Sequence, residues 1–141
     1  MIGLSWNSAA GGADLVLAAG GGGVVRDGTL RTSVILSLFL DARARPDDGA
    51  GADRRGWIGD AFTPEDRIGS RLWLLTREKQ TEETRRRAQD YATEALAWLV
   101  EDGLATAATV SAEWIDRGVL ALEVRISTPS GLDQSTFVLR L

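Results

Sequence analysis

At 141 residues, 44% apolar and 26% charged, the chain (residues 1–141) is expected to fold as one α+β domain with a real core. Its net charge of −4 argues against a surface built to neutralise phosphates, so no nucleic-acid partner is expected. Without cysteine or histidine, disulfides, thiolate zinc sites and the usual general base are excluded, which leaves carboxylates, lysine and tyrosine for proton transfer.

Residues 1–12 end in Ala9-Ala-Gly-Gly12 and read as a lead-in, with Trp6 as an anchor. The start, Met1 to Trp6, lacks the positive charge and apolar run of a secretion signal. The longest apolar run, Val34 to Leu40, is interrupted by Ser37 and is too short to span a bilayer. A cytoplasmic chain with no membrane partner is therefore expected. Asp14 to Ala19 is predicted to be a short strand, turned by Gly20–Gly23 into a second at Val24 and Val25. That makes a small N-terminal hairpin. The glycine run has neither the G-x-G-x-x-G nor the G-x-x-x-x-G-K-[ST] spacing, and no lysine lies nearby, so it reads as a flexible turn and not a phosphate cradle.

Thr29 to Ala42 is predicted to be the shorter helix. Leu30, Val34, Leu38 and Phe39 share one helical face, Ile35 and Leu36 widen it, and Thr29 or Asp27 can cap its start. The branched Val34 and Ile35 leave a strand open as the alternative. Asp41 to Arg55 balances four aspartates against four arginines around Pro46, Gly49 and Gly51. So few apolar residues cannot offset the entropy of ordering, and residues 41–56 are expected to be a mobile charged loop. Its end differs, because Arg54-Arg55-Gly56-Trp57 sets an indole beside two arginines.

Gly59 to Pro64 reads as a turn. Thr63 or Asp66 can then start a short helix over Arg67 to Leu75, with Leu72, Leu75 and either Ile68 or Trp73 toward the core. The strongest helix signal runs from Thr81 to Asp102. Glu82 and Glu83 favour its first turn, Ala88, Tyr91, Ala92, Ala95, Leu96, Trp98 and Leu99 make its apolar stripe, and Gly103 ends it. Arg85, Arg86, Glu94 and Glu101 mark its wet side. Ala107–Asp116, Val119–Thr128 and Gln134–Leu141 each alternate, joined by short turns at Asp116-Arg117-Gly118 and Pro129-Ser130-Gly131. An antiparallel C-terminal β-meander packed against the long amphipathic helix follows. Trp98, Leu99, Leu122, Val124 and Phe137 are expected to be buried together between them.

Asp60, Glu65 and Asp66, near Thr63 and Tyr91, are the candidates for a carboxylate pair able to cleave a glycosidic bond. Arg67 and Arg71 are close enough in sequence to keep Asp60 and Asp66 ionised, which suits a salt-bridged loop and not a general acid. Asp47 and Asp48 are an incomplete metal shell. No catalytic residue, metal or cofactor is therefore expected. The partner-binding candidates are Arg54, Arg55, Trp57, Gly69, Ser70, Arg71 and Trp73, since arginine and tryptophan are enriched where proteins meet. Within that set, Arg54, Arg55 and Trp57 are expected to dock. Gly69, Ser70 and Arg71 mainly hold the loop, with Gly69 allowing close backbone approach and Arg71 donating to Asp60 or Asp66. The alternative is that all six are structural and Trp57 plugs the end of the core.

Three ordered segments carry a resemblance: Arg54-Arg-Gly-Trp57 with Gly59-Asp60, Ile68-Gly-Ser-Arg-Leu-Trp-Leu-Leu75, and Glu94-Ala-Leu-Ala-Trp-Leu-Val100 with Asp102-Gly103. In order and spacing they resemble the Mu-like phage tail baseplate wedge family, over about Asp14 to Gly131. Gly69 to Leu72 also resembles a Gly-Ser-Arg-Leu-like segment of the wider sheath-initiator group, sometimes called lysozyme-like. That group has a Glu-Pro-Arg motif after its long helix. Here the helix ends Glu101-Asp102-Gly103, so the proline and arginine are missing and contacts credited to that motif are in question. The resemblance implies a non-enzymatic structural subunit of a contractile tail baseplate that templates the first sheath ring. Its implied partners are other wedge subunits, the sheath protein and the hub and spike. Its implied location is the host bacterial cytoplasm during assembly, then the virion tail baseplate. A final strand running to Leu141 fits, because an open sheet edge can accept a strand from another chain. The competing readings are a peptidoglycan glycoside hydrolase and a small cytoplasmic adaptor.

Overall fold

A computed structural model of the protein describes residues 2–7, 9–17, 30–62 and 67–141. Its C-terminal quarter is the antiparallel meander that the alternating pattern predicts. Strands β3 (Ala107–Asp116), β4 (Val119–Thr128) and β5 (Gly131–Arg140) pair in that order. The inward positions Val110, Ala112, Leu120, Leu122, Val124, Ile126 and Phe137 are buried. A register shift between Trp114 and Asp116 marks a bulge that leaves Ile115 exposed. β5 begins at Gly131, earlier than the predicted Gln134, because Thr128 and Gly131 already pair across the turn.

The long helix crosses β3 as expected, but in two pieces: α2 (Glu82–Leu96) and α3 (Trp98–Glu101). Thr81 caps its start by accepting from the Thr84 backbone N–H. A hydrogen bond from Arg85 holds the Glu82 carboxyl down to about 2. At Ala97 the ladder tightens to i→i−3, from Ala97 N–H to Glu94 and from Val100 N–H to Ala97. The next residue, Trp98, is only half-buried and donates its indole N–H to Ser37 Oγ at 3.0 Å. Of the five residues expected to be buried together, Leu99, Leu122, Val124 and Phe137 are buried, and Trp98 rests on the rim. Arg85, expected on the wet side, turns inward to donate to the Ala112 carbonyl at 2.9 Å. Gly103 ends the helix at φ 73°, as a left-handed cap.

The first helix, α1 (Arg31–Phe39), is shorter than Thr29–Ala42, and its predicted caps Asp27 and Thr29 lie outside the described residues. It stops where Leu40 turns extended and its carbonyl accepts from Ser70 N–H. Val34, Ile35 and Leu38 join Ala88, Ala92, Leu96 and Leu99 over the sheet in one core. The small hairpin is present but displaced. Its strands are β1 (Leu4–Asn7) and β2 (Gly12–Leu15), where a lead-in was expected. Asn7 is the reason: its side-chain oxygen accepts from the N–H groups of Ala9 and Ala10 and shapes the turn. The Gly20–Gly23 turn and the strand at Val24 and Val25 lie outside the described residues. Trp6 does anchor the hairpin, stacking on Phe39 with ring centres 3.7 Å apart and meeting Phe137 edge-on.

The predicted helix over Arg67–Leu75 reduces to a 3-10 turn at Leu72–Leu75. Gly69 has φ 98°, and Ser70 lies extended beside Asp41 in a parallel bridge. Neither is compatible with helix. Leu72 and Leu75 still reach the core, as expected.

Candidate functional site

Residues 41–62 and 67–75 lie against the helical layer, and their fixed points are backbone contacts. Ala42 N–H donates to Ser70, and Ala44 N–H donates to Arg54, each within 3 Å. Ala44 is buried. At Gly69 the chain passes so close to α1's end that an added Cβ would lie 2.5 Å from the Leu40 carbonyl oxygen. This is the close approach expected of that glycine. Ser70 is buried beside it and donates to the Leu38 carbonyl. Half-buried Trp73 donates its indole N–H to the Ala42 carbonyl at 2.8 Å.

Arg71 is the centre of this segment. Its side chain is 10% exposed, and its two terminal nitrogens donate to Asp48 at 2.7 Å and Glu94 at 2.6 Å. The guanidinium also lies 4.3 Å from the centre of the Tyr91 ring. Burial alone would lower its pKa, but the hydrogen bond to Glu94 and the charges of Glu94 and Asp48 outweigh it, and the net shift is upward. Arg45 reaches the other Glu94 oxygen at 2.7 Å, so one carboxylate on α2 holds two arginines. The expected partner Asp60 is not used. Its Oδ1 takes a long 3.4 Å bond from Ile68 N–H, and its Oδ2 is buried with no hydrogen-bond partner among the described residues. Thr63, Glu65 and Asp66 lie outside the described residues. Asp48, weighed earlier as half of a metal site, is thus an ion-pair partner. Among the described residues no group of three or more histidine, cysteine or acidic side chains could hold a metal.

Of the other candidates, Arg54 is half-buried, and Arg55 and Trp57 are exposed. Arg55 has φ 49°, stacks over Trp73 at 4.5 Å and donates to Asp41 at 2.8 Å. Trp57 is 56% exposed, so it does not plug the core. Its indole instead lies on Gly59, where a Cβ would fall 2.0 Å from the ring. The 3-10 turn Ile58–Ala61 follows, and it buries none of its residues. Ile58 is 80% exposed and Phe62 82%. Reading the sequence for arginine and tryptophan alone passed over both. Large apolar residues between turn-forming glycines were the signal available. A cleft of about 460 Å³ is lined by Trp57, Ile68, Gly69 and, from the helices, Leu36, Ala95 and Trp98.

The chain matches the family described as phage protein GP46 over residues 30–133, from the start of α1 into β5. It is 45% identical over 111 residues to baseplate protein gp46 of Escherichia phage Mu, covering 77% of this chain and 76% of that protein. It is 39% identical over 137 residues to Mu-like prophage FluMu protein gp46 of Haemophilus influenzae, covering 96% and 93% respectively.

Proposed function

The chain belongs to the phage protein GP46 family, and on that premise we propose that it is a structural subunit of a phage tail baseplate. Identity to a phage baseplate protein across three quarters of both chains is the observation that carries this reading. Within the baseplate, its role is that of a wedge and sheath-initiating component, acting by assembly with no enzymatic step. Its neighbours are other wedge subunits, the sheath protein, and the hub and spike. It assembles in the host cytoplasm before joining the virion tail. No helix among the described residues is long and apolar enough to cross a membrane.

The surface is suited to assembly. Edge strand β3 is covered by side chains, with Arg85 bonding the Ala112 carbonyl and Gln80 the Asp116 carbonyl. Edge strand β5 is not: among the described residues no side chain bonds the backbone of residues 132–140. Such an edge can receive a strand from the sheath protein. Arg54, Arg55 and Trp57 form the docking side toward a wedge neighbour, set in place by Gly69, Ser70, Arg71 and Trp73 beneath. Deleting the gene and imaging the resulting tail structures by negative-stain electron microscopy tests the sheath-initiating role. Tail tubes without sheath are the expected product, and tubes with sheath of normal length would contradict that role.

A further inference from the structure

The hairpin β1–β2 is a self-contained unit with few ties to the rest of the domain. Its strands bond to each other over four residue pairs, and Asn7 closes the turn between them. Among the described residues no backbone hydrogen bond links it to another element, and its polar tie is one side chain. Buried Thr32 Oγ1 on α1 accepts from Leu4 N–H at 3.1 Å and donates to the Ile2 carbonyl at 3.2 Å. Its apolar hold comes from β1, through Leu4 and Trp6. On β2, Ala13, Asp14 and Leu15 are all exposed.

That hold is incomplete in two respects. Trp6 stacks on Phe39, yet its indole Nε1 is buried with no hydrogen-bond partner. A buried N–H without an acceptor costs free energy that is recovered once water reaches it, so the closed hairpin carries a penalty that an open one does not. The hairpin also spans a space that it does not fill. A cavity of about 410 Å³ lies between it and the end of the sheet, lined by Leu4, Trp6, Gly12, Phe39, Leu139 and Leu141. Dense packing, which would tie hairpin and core into one cooperative unit, is lacking there.

We infer that the hairpin is a lid, which swings off the core as a unit while helices and sheet stay folded, with Trp6 as its latch. Opening uncovers Phe39 on α1 and Leu139 and Leu141 at the end of β5. This rests on β5 being a docking edge and adds its control: the closed hairpin shields the apolar end of that edge until a strand arrives.

The test is amide hydrogen exchange of the free chain over urea concentrations below its unfolding transition. The amides of Leu4 and Val16, bonded to Thr32 Oγ1 and the Gly3 carbonyl, should exchange about a hundredfold faster than those of β4. Both should share one opening with almost no urea dependence, because it exposes little surface, whereas β4 should follow global unfolding. A thiol placed in the cavity reports access to it, and the chain has no cysteine of its own. In a Leu139→Cys variant, thiol labelling should be slowed, relative to an unfolded peptide, by the same factor as the Leu4 and Val16 amides of that variant. Hairpin amides that follow the urea dependence of β4 would overturn the lid, since the hairpin would then open only on global unfolding. So would unequal protection at Leu4 and Val16, which is fraying, or a thiol whose protection departs from theirs in either direction. Those results leave the docking of β5 standing. Sheathed tubes after gene deletion would remove that docking and leave the opening of the hairpin in place.

Discussion

Replacing Arg71 by alanine should destabilise the fold by about 3–5 kcal/mol, the range for breaking one partner out of a buried ion pair. The size follows from what stays behind. Asp48 has a side chain only 7% exposed, and its Oδ1 accepts from Arg71 Nη1. Without the guanidinium that carboxylate is buried with its main counter-charge gone, and Tyr91 loses the group packed on its face. Arg71→Lys should recover only part of the loss, because one ammonium cannot reproduce a planar fork reaching Asp48 and Glu94 at once. Urea unfolding of the purified variants measures both. A loss below about 1 kcal/mol for Arg71→Ala, the scale of an exposed pair, would mean the network is solvated and does not anchor residues 41–55.

Phe137→Ala should cost about as much, 3–5 kcal/mol, for a different reason: a cavity in the core. Phe137 is 1% exposed and sits where the three layers meet. Phe39 of α1 meets it edge-on at 5.5 Å and Trp6 of β1 at 6.4 Å. Truncation removes the shared contact of sheet, helix and hairpin. The near-ultraviolet circular dichroism of the Trp6–Phe39 stack should weaken along with the unfolding midpoint. An unchanged midpoint would mean the hairpin can close the gap.

What could be read from the sequence was local. Alternation at Val110 to Trp114 and Leu120 to Ile126 located two strands to the residue, because a two-residue period admits one buried face. Thr81 and Gly103 gave the ends of the long helix, because a cap acts on its nearest neighbours. Two of the failures were non-local, and the hairpin turn was a local one. Arg71 was assigned to Asp60 or Asp66 by proximity in the chain; Asp66 lies outside the described residues, Asp60 does not pair with it, and Asp48 and Glu94, each 23 residues away, are brought in by the fold. The helix break at Ala97 has no signal in a good helix former; it occurs where Trp98 turns to Ser37 on α1. A run of four glycines drew the hairpin away from Asn7, whose side chain builds the observed turn. For the candidate site, the sequence pointed to the right stretch of chain but did not sort it into layers. Ser70 and Arg71 are buried, Trp73 is half-buried, and Trp57 is exposed beside Ile58 and Phe62, which hydropathy alone would have sent to the core.

The most direct measurement for a baseplate subunit is its copy number in particles. Quantitative mass spectrometry of purified tails should find this chain in a fixed ratio to the other baseplate proteins, unchanged by a high-salt wash that strips loosely bound material. Its absence from tails while abundant in the same lysate would contradict a structural role in the baseplate.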